Sequence, residues 1–297
     1  MDEYNERRVS NATVWSRRLA IFSAVVFLAT IVGHRIGYLA TADLLPVLGV
    51  VAAIAILSLL VAVRALFLFW DHGGKGGGTL VLAVLVALAV LSPFAVTAYR
   101  GITLPMLSDV STDADDPPEL SLAAAGRTAG MNTIEPFALE RRKLQEDSYP
   151  EATGRRYEAP IGQVLEVVQS VLDKRGWPIV GPSEFPADAT EVTIEARARS
   201  LILGLPADVA IRLIDEGTST YVDMRSSSRY IAHDFGENAA RIASFMAVLD
   251  VEIAYLTVVT PVEPAEPAAP KPVEAPPPPP LPEEPAEPLD RSEDPPD

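Results

Sequence analysis

The sequence of 297 residues contains no cysteine and only three histidines. Without cysteine, the chain has no disulfide, no thiol nucleophile and no cysteine-ligated metal. Basic residues are also in the minority, because 24 Lys and Arg stand against 40 Asp and Glu, which gives a net charge of −16. No nucleic-acid partner is expected for such a chain, since phosphate recognition needs basic patches.

Three stretches without charged residues dominate the first third of the chain. Residues 44–63 and 80–98 are long, and residues 19–33 form a shorter stretch. A helix of about 20 residues crosses the hydrocarbon core of a bilayer. The sequence therefore predicts a transmembrane region of three helices over residues 19–98, after an N-terminal segment 1–18. A signal peptide is the alternative for 19–33, but no small-x-small cleavage site follows it promptly.

The basic residues that flank these stretches indicate an orientation. Four arginines precede the first predicted helix, and Arg64 and Lys75 lie between the second and the third. Only Arg35 and Arg100 flank the opposite ends. The positive-inside rule then places the N-terminus in the cytoplasm and everything after Arg100 outside it, in the periplasm of a cell with two membranes.

The C-terminal residues have a composition that does not build a core. Residues 261–297 contain 15 prolines and ten acidic residues but only two basic ones. This composition predicts a disordered tail over 258–297, partly in polyproline II conformation, with a spacer or a docking peptide as its possible roles. With residues 99–108 as a linker, residues 109–257 remain for one folded domain.

Hydrophobic periodicity predicts an α+β fold for that domain. Helical spacing over 160–175 and 235–256 predicts two helices, and 137–147 is a shorter, charged candidate. Period-two alternation predicts strands over 192–200, 207–215 and 218–229, with short strands at 156–159 and 177–180. The order predicts a small antiparallel sheet with helices packed on one face and the other face open to solvent.

Two features of this domain suggest a cation site and a serine nucleophile, and both are incomplete. Asp109, Asp113, Asp115 and Asp116 are spaced like the start of an EF-hand, but the required glycine and glutamate are missing, so an Asx turn is the alternative and no metal or cofactor is predicted. Ser226–Ser228 lie near His233, but there is no nucleophile elbow, so an enzyme acting on a lipid or cell-wall substrate is the less favoured hypothesis.

The segment 225–242, RSSSRYIAHDFGENAARI, is interpreted as a strand-to-helix corner. Asp234 is a helix-cap candidate, with Glu237 three residues later as in a capping box, and Arg229 or Arg241 is expected to pair with Asp234. The residues with a predicted structural role in this corner are Ser228, Asp234, Gly236, Asn238 and Arg241.

Arginines on the outward face of the sheet are the candidate ligand-binding residues. Guanidinium groups bind phosphates and carboxylates in a bidentate manner. The alternative is a ladder of ion pairs across the strands. A neighbouring turn, SLILGLP at 200–206, is expected to pack against the edge of the core, with insertion into the bilayer as the alternative. The predicted anion surface consists of Arg197, Arg199, Arg212, Arg225 and Arg229.

The segments DVSTDADDPP, LQEDSYPEA, GLPADVAIRL and VDMRSSSRYIAHDFGENAARI resemble the bacterial family known as domain of unknown function 1499. The resemblance covers residues 109–250 and implies a bacterial protein with membrane helices before the domain. It also implies a small residue, often glycine, where this chain has Ile231. With the features above, it predicts a multi-pass protein of the inner membrane whose periplasmic domain binds an anionic lipid, a cell-wall polymer or an envelope protein, or supports envelope assembly.

Overall fold

The computed structural model describes residues 10–72, 76–186 and 188–259. The predicted tail lies outside these residues except for its first two, 258 and 259, which continue the last helix. The helices are α1 (Asn11–Arg35), α2 (Thr41–His72), α3 (Gly77–Thr103), α4 (Ser121–Ala125), α5 (Leu139–Ser148), α6 (Ile161–Lys174) and α7 (Glu237–Val259). The strands are β1 (Asp109–Ser111), β2 (Arg155–Tyr157), β3 (Ile179–Val180), β4 (Glu191–Arg199), β5 (Pro206–Asp215) and β6 (Thr220–Ser228).

The three apolar helices α1–α3 confirm the predicted membrane-spanning region. Each is long and apolar enough to cross a bilayer. Small side chains lie where the helices meet, as is usual for helices packed in a membrane. Ser16 and Ser58 join α1 to α2 through two hydrogen bonds, in which each hydroxyl donates to the other residue's carbonyl oxygen, at 3.2 and 2.9 Å.

The α+β domain, defined here as residues 109–259, is built on one antiparallel sheet. The strand order is β1-β6-β5-β4-β3, and β2 also pairs with β6. The three long strands lie within one or two residues of the predicted ranges. The fold class predicted from periodicity is therefore confirmed. Strand β1 and helix α4 were not predicted, because three and five residues are too few to show a periodic pattern.

Helices α6 and α7 cover one face of the sheet and form the core with it. Val168 and Leu172 of α6 and Phe245 of α7 are fully buried against the inward side chains of β4–β6. Trp177, just after α6, stacks on the Phe245 ring at a centroid distance of 5.9 Å. These contacts place the two helices on the face that the alternation predicted.

The second face of the sheet is covered by the chain between β1 and α5, called here the covering segment. Leu120, Ala123 and Ile134 pack over Ala210 of β5. Glu195 of β4 is buried and accepts hydrogen bonds from the backbone N–H groups of residues 122 and 123 at the start of α4, both at 2.8 Å. The prediction that this face is open to solvent is therefore wrong for the middle of the sheet.

Candidate functional site

Two of the five predicted anion-surface arginines lie in buried ion pairs with aspartates. Arg212 of β5 bonds Asp223 of β6 at 2.6 Å and Asp116 of the covering segment at 2.8 Å. Hydrogen bonding to Asp223 is the main reason that the pKa of Arg212 is raised. Arg225 of β6 bonds both carboxylate oxygens of Asp109 at 3.0 and 2.8 Å. Both guanidinium groups therefore have carboxylate partners inside the protein.

A third predicted arginine, Arg229, shares one buried carboxylate with Arg127. Asp208 of β5 bonds Arg229 at 2.7 Å and Arg127 at 3.0 Å. Arg127 also donates to the carbonyl oxygens of Asn132 and Ser227, at 2.7 and 3.2 Å. Because Arg127 lies in the covering segment, this cluster holds that segment against the sheet. Arg127 was not among the predicted site residues.

The aspartates of the incomplete EF-hand pattern take part in the same contacts. Besides the pairs of Asp109 and Asp116, the Asp113 carboxylate accepts hydrogen bonds from the N–H groups of Asp115 and Asp116, at 3.0 and 2.9 Å. This arrangement is the Asx turn that the sequence left as the alternative. Within the described ranges, no group of three or more acidic or histidine side chains is arranged to hold a metal ion.

Arg197 and Arg199, the other two predicted arginines, are exposed on the same face of the sheet near the end of β4. In the part of the chain that the structure describes, neither has a carboxylate partner. Their side chains point to one face because residues two apart on a strand do so. The structure therefore separates these two from the three arginines that are paired.

The end of the sheet that carries Arg199 faces the membrane helices. Strand β4 ends there at Arg199, and β5 begins there at Pro206. The loop between them contacts the end of α1: His34 Nδ1 donates to the Leu203 carbonyl at 2.7 Å, and Arg35 Nε donates to the Ile202 carbonyl at 3.3 Å. Arg199 in turn donates to the Arg35 carbonyl at 3.5 Å. Arg35 thus joins Arg197 and Arg199 in a group, called here the membrane-proximal arginines.

The corner between β6 and α7 is held by a buried hydrogen-bond network. The Asn238 side chain accepts from Ser226 at 2.8 Å and from Arg241 at 2.6 Å, and donates to the hydroxyl of Ser228 at 3.1 Å. Burial lowers the pKa of Arg241. The hydroxyls of Ser226 and Ser228 therefore bond side chains that fix the corner. This network runs through Asn238 and Arg241 and not through His233, whose Nδ1 accepts from the backbone N–H of residue 235 at 3.0 Å.

Asp234 caps the start of α7 in this corner. Its carboxylate accepts from the N–H groups of Gly236 and Asn238, at 3.0 and 2.8 Å. Burial raises the pKa of Asp234 and outweighs these hydrogen bonds. Arg229 pairs with Asp208 and not with Asp234. Of the two arginines expected as alternative partners of the cap, Arg229 is therefore taken by the carboxylate of β5, whereas Arg241 interacts electrostatically with Asp234.

The backbone of the corner adopts the left-handed conformation at Ile231, with φ of 69°. The Ile231 carbonyl is held there by the Asn132 side chain at 2.9 Å. A left-handed conformation costs a residue with a Cβ about 1–2 kcal/mol, which glycine avoids. The small residue implied by the family resemblance at this position therefore has a physical reason.

We expect Ile231→Gly to stabilise the α+β domain. The relief of about 1–2 kcal/mol is opposed by the entropy of about 0.4–1 kcal/mol that a glycine adds to the unfolded chain, so the net gain is between about 0 and 1.6 kcal/mol. Chemical denaturation of the full-length protein measures it. Ala232→Gly is the control, because Ala232 has no positive φ and the change is expected to destabilise. Equal destabilisation by both variants would contradict the strain at Ile231.

The family model described as Protein of unknown function (DUF1499) matches residues 109–249. The α+β domain belongs to the DUF1499 family. The match begins with β1 and ends within α7, so the covering segment and the corner are both parts of the DUF1499 domain. No curated protein and no solved structure is significantly similar to the chain.

Proposed function

We propose that this membrane protein presents its DUF1499 domain on the periplasmic side of the bacterial inner membrane, with the N-terminus in the cytoplasm. The basic residues flanking α1–α3 support this orientation through the positive-inside rule. We further propose that the domain binds an anionic envelope component through Arg35, Arg197 and Arg199. In the same proposal, the domain supports envelope assembly by binding this component.

The observation that carries the proposal is the difference among the arginines of one sheet face. Arg212, Arg225 and Arg229 each have a carboxylate within 2.8 Å. The exposed Arg197 and Arg199 have none among the described residues, although the whole chain has an excess of acidic residues. Unpaired guanidinium groups beside a membrane suit phosphate or carboxylate ligands.

An anionic lipid headgroup is the ligand that the position favours. Arg199 bonds the last residue of α1, so the two arginines lie at the level where that helix leaves the apolar part of the membrane. Basic residues at this level attract anionic lipids by about 1 kcal/mol each. A cell-wall polymer or an acidic protein segment also carries negative charge, but its binding does not require arginines at the level of the lipid headgroups.

We expect the double variant Arg197→Gln/Arg199→Gln to bind phosphatidylglycerol roughly 30-fold more weakly, from about 1 kcal/mol for each lost charge. Native mass spectrometry of the full-length protein, released from micelles with phosphatidylglycerol or phosphatidylcholine added, measures the bound lipid. Parallel pull-downs with purified cell-wall polymer test whether the polymer is the anionic ligand instead.

Arg156→Gln is the matched control for this experiment. Arg156 is an exposed arginine that pairs with Glu216 near the opposite end of the sheet, so its loss should not affect lipid binding. The proposal is contradicted if the double variant keeps its selectivity for phosphatidylglycerol. Loss of polymer binding with unchanged lipid binding would identify the cell-wall polymer as the ligand instead.

A further inference from the structure

The loop between β4 and β5, residues 200–205, exposes two large apolar side chains at its tip. Leu201 is 89% exposed and Ile202 is 57% exposed. The expectation that this turn packs against the edge of the core is wrong for these two residues. Exposed apolar side chains in adjacent positions are typical of a surface that contacts a partner or a membrane.

The loop is closed by its own hydrogen bonds, so its tip has a fixed shape. The N–H group of Ser200 donates to the Leu205 carbonyl at 2.9 Å, and the Leu205 N–H donates to the Ser200 hydroxyl at 3.0 Å. Gly204 has a φ of 72°, which glycine adopts without strain. Leu201 and Ile202 therefore remain at the tip without a hydrophobic partner within the loop.

The loop is attached to the end of a membrane-spanning helix. His34 is buried and bonds the Leu203 carbonyl, and Arg35 bonds the carbonyls of residues 202 and 200. A Cβ on Gly204 would lie 3.2 Å from Arg35 Cγ, so the loop backbone passes very close to α1. Because the apolar run of α1 ends at Gly33, this attachment places the tip at the membrane interface.

The surroundings of the tip have the composition of an interfacial segment. Ile36 and Tyr38, in the connection between α1 and α2, are also largely exposed. Tyrosine is enriched at membrane interfaces, and basic side chains next to apolar ones are typical of segments that lie in the headgroup region. Arg35 and Arg199 supply these basic side chains.

We propose that Leu201 and Ile202 insert into the leaflet that faces the DUF1499 domain, so that the β4–β5 loop is a membrane-docking element. The inference rests on the membrane anchoring in the proposed function, but it does not depend on anion binding by Arg197 and Arg199. The occupant of the exposed tip is the lipid bilayer, since α1 holds the tip at the height of the lipid headgroups.

The absence of cysteine allows a single label to be placed at the tip. Leu201→Cys and, as a second variant, Ile202→Cys are labelled with an environment-sensitive fluorophore in the full-length protein, reconstituted in nanodiscs with or without phosphatidylglycerol. Thr218→Cys is the control, because Thr218 is exposed in the turn between β5 and β6, at the opposite end of the ten-residue strand β5 and about 33 Å away.

We expect a lipid with a doxyl group on its acyl chain to quench the labels at 201 and 202 at least roughly twofold more than the label at 218, because interfacial side chains lie about 5–10 Å inside the membrane surface. Quenching in both lipid mixtures supports insertion of the tip. If Arg197→Gln/Arg199→Gln also leaves lipid binding unchanged, the proposal of anion binding fails and the proposal of insertion stands. Quenching only with phosphatidylglycerol supports insertion coupled to headgroup binding.

Two results would overturn the proposal that the β4–β5 loop is a membrane-docking element. The first is equal, weak quenching by the doxyl lipid at all three positions in both mixtures. The second is a tip label that is shielded from a water-soluble quencher and also from the doxyl lipid, which would identify a protein as the partner of the tip.

Discussion

Replacing Asp208 with alanine is expected to lower the free energy of unfolding of the α+β domain by about 3–5 kcal/mol. Asp208 is the carboxylate that Arg127 and Arg229 share, and all three side chains are largely removed from solvent. Without it, two buried guanidinium groups repel each other with no counter-charge, and Arg127 loses its ion pair with the sheet and keeps there only its hydrogen bonds to Ser227 and Ser228 of β6. We expect the covering segment to detach before the rest of the domain unfolds.

Tryptophan fluorescence of the full-length protein in detergent, followed during chemical denaturation, measures the free energy of unfolding of the domain. The three tryptophans are Trp15, Trp70 and Trp177, so a Trp15→Phe/Trp70→Phe background leaves one reporter, in the core of the domain. Glu216→Ala is the control, since it removes the partner of Arg156 at an exposed position, where ion pairs are worth about 0–1 kcal/mol. A similar denaturation midpoint for Asp208→Ala and Glu216→Ala would show that the buried cluster does not stabilise the fold.

Replacing Phe245 with alanine is expected to cost about 3–5 kcal/mol through the cavity that it leaves. Phe245 is fully buried where α7 crosses the sheet. Its ring stacks on Trp177, and the Arg175 guanidinium lies over the Trp177 and Phe245 rings, at 5.1 and 5.6 Å from their centroids. The change therefore removes the ring contacts between the end of α6 and the middle of α7, where the hydrogen bonds of Arg175 to Ser244 remain.

Val251→Ala on the same helix is the control for Phe245→Ala. Val251 is 68% exposed, so its truncation should change the free energy of unfolding by no more than about 0.5 kcal/mol. The midpoint of the denaturation curve is the quantity to compare, because the loss of the Phe245 ring changes the fluorescence of Trp177 even in the folded state. A small shift for Phe245→Ala would mean that neighbouring side chains collapse into the cavity.

Local patterns predicted the elements of this fold, but they did not predict what covers them. Alternation in β4–β6 and helical spacing in α6 and α7 indicated the sheet and its inner face, because the signal lies within each element. Arginine and aspartate on the outer face give the same pattern whether the face is solvated or buried in ion pairs. The deciding partner, Arg127, is 81 residues from Asp208 in the chain, and no local pattern connects them.

The candidate site was predictable to a similar degree. Arg197 and Arg199 were identified as part of a basic face, but the sequence could not separate them from Arg212 and Arg225, whose carboxylate partners include residues outside the long strands. The contribution of Arg35 depends on where the β4–β5 loop meets α1, which is a contact between distant parts of the chain. The family resemblance implied a small residue at position 231, and the positive φ of Ile231 explains why a glycine suits this position.

The domain is attached to the membrane region at two places, each through a different helix. The β4–β5 loop bonds the end of α1, and the corner before α7 packs on the end of α3, where a Cβ on Gly101 would lie 3.3 Å from the Phe235 ring. A domain attached at one point could rotate about that point, whereas a second attachment restricts rotation of the sheet about either helix. We therefore expect the turn between β5 and β6, at the far end of β5 from both attachments, to vary less in its distance from the membrane helices than it would with a single attachment.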